Sequence, residues 1–163
     1  MNYGQIRKYD IANGPGIRTS IFTTGCSLNC KNCFNKEYQD PNFGYKWTEK
    51  EDSLIISYLN DPNISGLTIL GGEPFENCDG LIALLRKIET NKSIWIYSGY
   101  RFEHLIKNKK AKELLGLVDV LVDGPFIESE KDLNLFYRGS KNQRIINVRD
   151  SLNNNKICLV DGY

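Results

Sequence analysis

The chain has very little histidine. His104 is the only one in 163 residues, and no acid–base partner accompanies it in the sequence. It reads as a helix surface residue. Charge of one sign is lacking too: 21 basic and 20 acidic side chains leave a net charge of +1. Such a balance exerts no general pull on nucleic acid or on an anionic membrane, and neither is expected as a partner. No apolar run approaches the length that spans a bilayer. Met1 to Asp10 is polar, without the apolar stretch of a signal peptide. Five cysteines, three of them crowded together, do not make the even framework of a secreted disulfide protein. These absences lead us to expect a cytoplasmic protein whose thiols stay reduced. Repeats, linkers and low-complexity tracts are missing as well. With 40% apolar and 25% charged residues, residues 1–163 suffice for one domain with a real core. We expect that core over about 3–148 and a tail over 149–163.

What is present concentrates in Thr24-Gly25-Cys26-Ser27-Leu28-Asn29-Cys30-Lys31-Asn32-Cys33-Phe34. Three thiolates in eight residues can hold three irons of a cubane, whereas protein-held 4Fe-4S clusters normally take four cysteines. The segment supplies no ligand to the fourth iron, which is then open to a substrate. Structural zinc is the alternative. It wants four protein ligands, and a second C-x-x-C pair is absent. Cys78, Cys158 and His104 sit at no ligand-like spacing. On residues alone both readings stand, with chance clustering behind them.

Strand and helix signals alternate along the chain. Tyr3–Asp10 and Arg18–Thr24 read as strands, the second leading into the cysteine loop; Asn13-Gly14-Pro15-Gly16 is a turn and Asp40–Tyr45 a loop. Thr48 and Glu51 fit a capping box for a helix with Leu54, Ile55, Tyr58 and Leu59 on one face. Gly66–Leu70, Ser93–Tyr97 and Val118–Val122 read as strands. Leu81–Ile88 and Phe102–Leu115 read as helices, the latter broken near Asn108. Arg144–Val148 and Lys156–Val160 are late strand candidates. The alternation predicts an α/β fold with a largely parallel sheet. About five units are too few for a closed eight-fold barrel, so an open, partial (β/α) barrel is expected. In such folds chemistry gathers after the strands' C-terminal ends. The cysteine loop, Gly71–Pro74, Ser98–Tyr100 and Asp123–Pro125 each follow a strand, so all four are expected at one mouth.

Each of these loops also has a plainer reading. Gly71-Gly72-Glu73-Pro74 can bring backbone groups and a carboxylate to a polar or cationic ligand, or simply join strand to helix. Ser98 and Asp123 suit ribose hydroxyls, or end their strands. Arg138-Gly139-Ser140 with Asn142-Gln143-Arg144 can offer donors to a partner backbone or a phosphate, or be a solvated loop. Cys78 and Cys158 read as packing thiols, and the lysines from Lys107 to Lys112 as a solvated helix face.

Taken together, the motifs resemble a known family. Cys26-x3-Cys30-x2-Cys33 followed by Phe34 resembles the signature of radical S-adenosylmethionine (SAM) enzymes, and Gly71–Pro74 resembles their second motif. Asn13–Arg18, Tyr97–Tyr100, Asp119–Phe126 and Arg138–Arg144 narrow the likeness to small glycyl-radical-enzyme activases, those of anaerobic ribonucleoside-triphosphate reductases. The likeness runs from about Tyr3 to Val148. It implies a partial barrel of the radical SAM type. It implies that Cys26, Cys30 and Cys33 ligate a 4Fe-4S cluster whose fourth iron is chelated by SAM. Asn32, Cys33 and Phe34 would then lie against SAM, Gly71, Gly72 and Glu73 would receive its ammonium, and Ser98 and Asp123 would make further contacts. It also implies the activity: reductive cleavage of SAM to a 5′-deoxyadenosyl radical, which abstracts hydrogen from a glycine of the reductase's large catalytic subunit. An external one-electron donor such as a flavodoxin or ferredoxin would reduce the cluster. Activation of another glycyl-radical enzyme, small-molecule radical chemistry and a ferredoxin-like electron carrier are the competing expectations.

Overall fold

A computed structural model describes residues 1–163. Seven strands form one open sheet in the order β3-β1-β2-β4-β5-β6-β7. They are β1 (Asn2–Asp10), β2 (Arg18–Thr23), β3 (Tyr45–Lys46), β4 (Gly66–Gly71), β5 (Ser93–Ser98), β6 (Val120–Asp123) and β7 (Arg144–Asn147). The middle four, β2, β4, β5 and β6, are parallel. Both flanks are antiparallel: β1 returns on β2 and carries β3, and β7 returns on β6. The largely parallel sheet expected is found, with the parallel strands at its centre. The order does not close on itself.

Five helices accompany the strands: α1 (Glu49–Leu59), α2 (Cys78–Leu85), α3 (Phe102–Leu105), α4 (Lys109–Leu115) and α5 (Val148–Asn154). Local chemistry sets their ends. The Thr48 hydroxyl and Glu51 carboxylate form the capping box of α1, with the Thr48 amide donating to Glu51 Oε2 at 2.8 Å. Asn108 Oδ1 accepts from the amides of Lys110 and Ala111, which starts α4 and splits the expected Phe102–Leu115 helix in two. The second helix spans Cys78–Leu85 instead of the expected 81–88, because a 3₁₀ turn over Pro74–Asn77 leads directly into it. Lys156–Val160 forms no strand; it contributes one bridge, Leu159 to Ile146. No helix is long and apolar enough to cross a membrane.

Strand alternation divides the interior into two faces. Ile21, Leu67, Ile69, Ile96, Leu121 and Ile146 join Ile55, Leu59, Leu81, Leu84, Leu114, Leu115 and Val148 in the main core under the helices. The other face is filled differently. Trp95, Val122 and Ile145 pack there with Tyr97, Val120 and Tyr137. Beside them lies Arg18, fully buried, with its guanidinium 5.5 Å from the Trp95 ring. Arg18 donates to Thr68 Oγ1, Ser93 Oγ and the carbonyls of Leu67 and Ser93. These bonds seal the end of the sheet where the parallel strands begin. Burial with no carboxylate bonded to it pulls the Arg18 pKa down to about 10.

Candidate functional site

At the other end of β2 the chain turns into the cysteine loop. Two backbone bonds close its base, from the Gly25 amide to the Tyr38 carbonyl at 2.8 Å and from the Cys26 amide to the Gln39 carbonyl at 3.1 Å. Inside, Asn29 and Asn32 take left-handed conformations with φ of 46° and 55°, a region that asparagine tolerates better than most side chains. The Cys33 amide donates to the Cys30 carbonyl at 3.3 Å. Just after Cys26, Ser27 is latched by its amide and hydroxyl to Glu76 Oε1 at 2.9 and 2.6 Å, and the Tyr100 hydroxyl joins the same oxygen at 3.2 Å. Nothing in the sequence marks Glu76 or Tyr100 for this task, since they meet Ser27 only through the fold.

Gly71 and Gly72 follow β4 and press on that loop. A Cβ on Gly72 would stand 2.6 Å from the carbonyl oxygens of both Gly25 and Tyr38. The Gly72 amide donates to Thr23 and the Glu73 amide to Gly25, each at 2.8 Å. Glycine is required here because backbone packs on backbone. Glu73 is 1% exposed. Its Oε1 accepts from the Phe75 amide at 3.0 Å and the Ser98 hydroxyl at 2.9 Å, and its Oε2 from the Gly99 amide at 2.8 Å. One carboxylate thus ties the loop after β4 to the loop after β5. Burial pushes its pKa up to about 7, against the lowering effect of these donors.

These loops enclose a cavity of about 380 Å³. Cys26, Cys30, Cys33 and Phe34 line it from the cysteine loop, Gly71–Glu73 and Ser98–Gly99 from the loops after β4 and β5, and Gly124 and Phe126 from the loop after β6. Four strand ends therefore meet at one mouth, as the topology predicts. Tyr97, Tyr137, Arg138 and Gln143 complete the wall. Two of the expected residues do not line it. Asn32 points to Glu128, to which its amide donates. Asp123 is fully buried and lies on the helix side of β6; it accepts from the Phe102 amide at 2.7 Å and from Arg144 Nε at 2.9 Å. Its carboxylate anchors α3 and Arg144 and does not face the cavity.

The three thiols are free and half-buried, as is Cys158; Cys78 is buried and donates to the Phe75 carbonyl. Burial, with Glu73 and Glu76 nearby, raises the Cys26 pKa to about 11. A bound metal would reverse that order, since a coordinating thiol is deprotonated. No three His, Cys, Asp or Glu side chains converge on a point that would hold a single ion. A cubane takes one cysteine per iron, so its ligands ring the cluster without meeting. Three thiols spaced around one cavity fit that group.

An open α/β sheet with three thiols on a cavity at its strand ends is a setting that suits an iron–sulfur protein. Residues 12–146 match the family model described as "4Fe-4S single cluster domain". The chain is 37% identical over 156 residues to the anaerobic ribonucleoside-triphosphate reductase-activating protein of Salmonella typhi, covering 91% of this chain and 100% of that one. It is 38% identical to the protein of that name from Vibrio cholerae, over 89% of this chain and 97% of the relative. The enterobacteria phage T4 protein of that name is 34% identical, over 93% and 97%. The chain belongs to the family of anaerobic ribonucleoside-triphosphate reductase-activating proteins.

Proposed function

We propose that this protein is a radical SAM activase that installs a glycyl radical on the large catalytic subunit of an anaerobic ribonucleoside-triphosphate reductase. In this reading the open sheet is the partial barrel of the radical SAM type. Cys26, Cys30 and Cys33 would hold the 4Fe-4S cluster, and an external one-electron donor would supply its electron. The observation that carries the reading is the shared cavity: three thiols face Gly72, Glu73, Ser98 and Gly99 across one space.

When bound, cluster and SAM together supply a carbon radical able to take a hydrogen atom from a glycine Cα. The chain's own residues position and shield that chemistry. Gly72 and the Glu73 carboxylate bind an ammonium group; Oε2 of Glu73 has one protein donor and accepts another. Leu28, Leu70, Phe34 and Phe126 give the cavity apolar walls. Ser98 holds Glu73 in place, and Asp123 holds Arg144 and α3. Hydrogen abstraction by a carbon radical asks for close approach and no general base, which suits a cavity without histidine.

The test mixes anaerobically reconstituted protein with the reductase, SAM and a reductant. A glycyl radical doublet in the electron paramagnetic resonance spectrum is the expected result. A protein that takes up iron and sulfide yet leaves SAM uncleaved would be an electron carrier, and the proposal would fall.

A further inference from the structure

The connection from β6 to β7 runs from Gly124 to Gln143 and holds no strand or α-helix, only a 3₁₀ turn at Glu128–Glu130. In a compact domain so long a connection is uncommon unless it has a function of its own or is disordered. This one is tied down. The Ile127 amide donates to Ser140 Oγ at 3.2 Å and the Lys141 amide to the Glu130 carbonyl at 2.9 Å, and Lys131 forms a bridge with Ser140. Gln143 Oε1 accepts from the amides of Gly139 and Ser140, and the Tyr97 hydroxyl donates to the Tyr137 carbonyl at 2.9 Å. The connection also reaches the cysteine loop. Glu128 accepts from the Asn32 side chain, the Phe126 and Phe34 rings lie 5.0 Å apart, and Lys131 Nζ stands 5.1 Å from the Phe34 ring.

What this loop exposes is apolar. The Asn134 amide donates to Asp132 Oδ1 at 3.0 Å, a turn that carries Leu133 at its tip. Leu133 is 86% exposed, the highest value of any large apolar side chain in the protein. Phe136 is 64% exposed and Phe34 65%. Leu135 and Tyr137, on either side of Phe136, line the cavity, as Phe34 itself does. The charged side chains around them are engaged elsewhere: Asp132 faces Lys141 at 3.7 Å, Lys131 lies over Phe34, and Glu128 holds Asn32. Large apolar side chains held together in water, with polar neighbours at their margin, mark a surface made for a partner.

We propose that Leu133 and Phe136, together with Phe34, form a docking surface for the reductase, on which the segment carrying its glycine lays apolar side chains. This rests on the reading of the protein as a glycyl-radical activase. Under that reading a glycine Cα of another protein must come close to a group held in the cavity. The chain on either side of that glycine then has to cross the rim. Where Leu135 and Tyr137 line the cavity, that rim is the Gly124–Gln143 loop. Contacts at Leu133 and Phe136 would set affinity without touching the reacting atoms. A rim fixed beforehand also spares the cost of ordering it on binding.

Reductase binding to the cluster-loaded protein, read beside SAM cleavage in the absence of reductase, tests the proposal, with iron content and thermal midpoint as controls. Leu133→Ser combined with Phe136→Ser should weaken reductase binding about 10- to 100-fold and slow glycyl radical formation in parallel at low reductase concentration. Reductant-driven SAM cleavage without reductase should stay within about twofold. Both side chains are exposed, so the fold should hold. Leu133→Met combined with Phe136→Leu keeps the surface apolar and should bind within about fivefold of wild type. Leu159→Ser, at an exposed leucine paired with Ile146 of β7, should bind as wild type does. Unchanged reductase binding by the double Ser variant overturns the docking surface. An equal loss of SAM cleavage without reductase also overturns it, since the two residues would then serve the cavity. A change in self-association of the double Ser variant would make the surface a contact between copies of this chain and overturn it too. If wild-type protein with SAM, reductant and reductase gives no glycyl radical, the reading beneath fails; if it does and the double Ser variant matches it, only the docking surface falls.

Discussion

The two ends of the parallel strands treat arginine in opposite ways. Where the strands begin, Arg18 is fully buried and its donors reach Thr68, Ser93 and Leu67. Where they finish, Arg138 borders the cavity with an open Nε. The first spends its hydrogen-bonding capacity inside the fold, and the second leaves part of its own unused. Satisfied polar groups rigidify a structure, while unsatisfied ones mark places where another molecule completes it. Substitutions at the closed end should therefore cost stability, and substitutions at the open end should cost chemistry.

The largest effect belongs to the open end. Replacing Cys26, Cys30 or Cys33 by Ala should abolish SAM cleavage and lower bound iron, with the far-ultraviolet circular dichroism unchanged. A variant that keeps full activity would remove that cysteine from the ligand set. At the closed end Arg18→Met should lose about 3 kcal/mol in urea unfolding, because several buried acceptors lose their donors and a void remains; its thiols should still assemble a cluster. Gly72→Ala tests the seam between the two regions. Its new methyl group meets two carbonyl oxygens at 2.6 Å, so we expect a loss of about 1–3 kcal/mol together with poor cluster assembly.

Glu73 sharpens the contrast through pH. Its carboxyl keeps a proton to about pH 7 in the folded protein, against an ordinary value of 4.5. Folding takes up a proton between those values, so the Glu73 contribution to stability is full below pH 4.5 and declines as pH rises to 7. Glu73→Gln should flatten that part of the stability curve, measured as thermal midpoint against pH. An unaltered slope would place the titration elsewhere. The smallest effect is expected of Cys158→Ala, far from the cavity wall, which should leave iron content and activity at wild-type levels.

Much of this architecture is legible in the sequence, for identifiable reasons. The capping box at Thr48 and Glu51, the break at Asn108 and the strand-end loops are local signals, and the fold keeps them where local chemistry puts them. What escapes the sequence depends on partners distant along the chain. Val120-Leu121-Val122 is apolar on both faces, so no alternation says which side Asp123 takes; the pleat turns it toward α3. Helix α5 is hidden by its asparagines, poor helix formers in the interior, although Asn147 caps it by accepting from the Asp150 amide at 3.0 Å. Antiparallel β7 looks no different in composition from a parallel strand. The place of Arg138 on the cavity wall depends on the left-handed backbone of Tyr137, at φ 54°, and on Gln143, which accepts from the amides of Gly139 and Ser140; neither has a sequence signature.

Trp95 lies between the two regions, 3% exposed, with Arg18 against its face and the rings of Tyr137 and Tyr163 at its edge, 5.7 and 6.1 Å away. The other tryptophan, Trp47, sits by Tyr3 at the far margin of the sheet. The indole that touches the Tyr137 loop is thus separate from its only competitor in emission. The protein carries a built-in fluorophore behind the Tyr137 that lines its cavity, and displacement of that loop becomes an optical signal that needs no label.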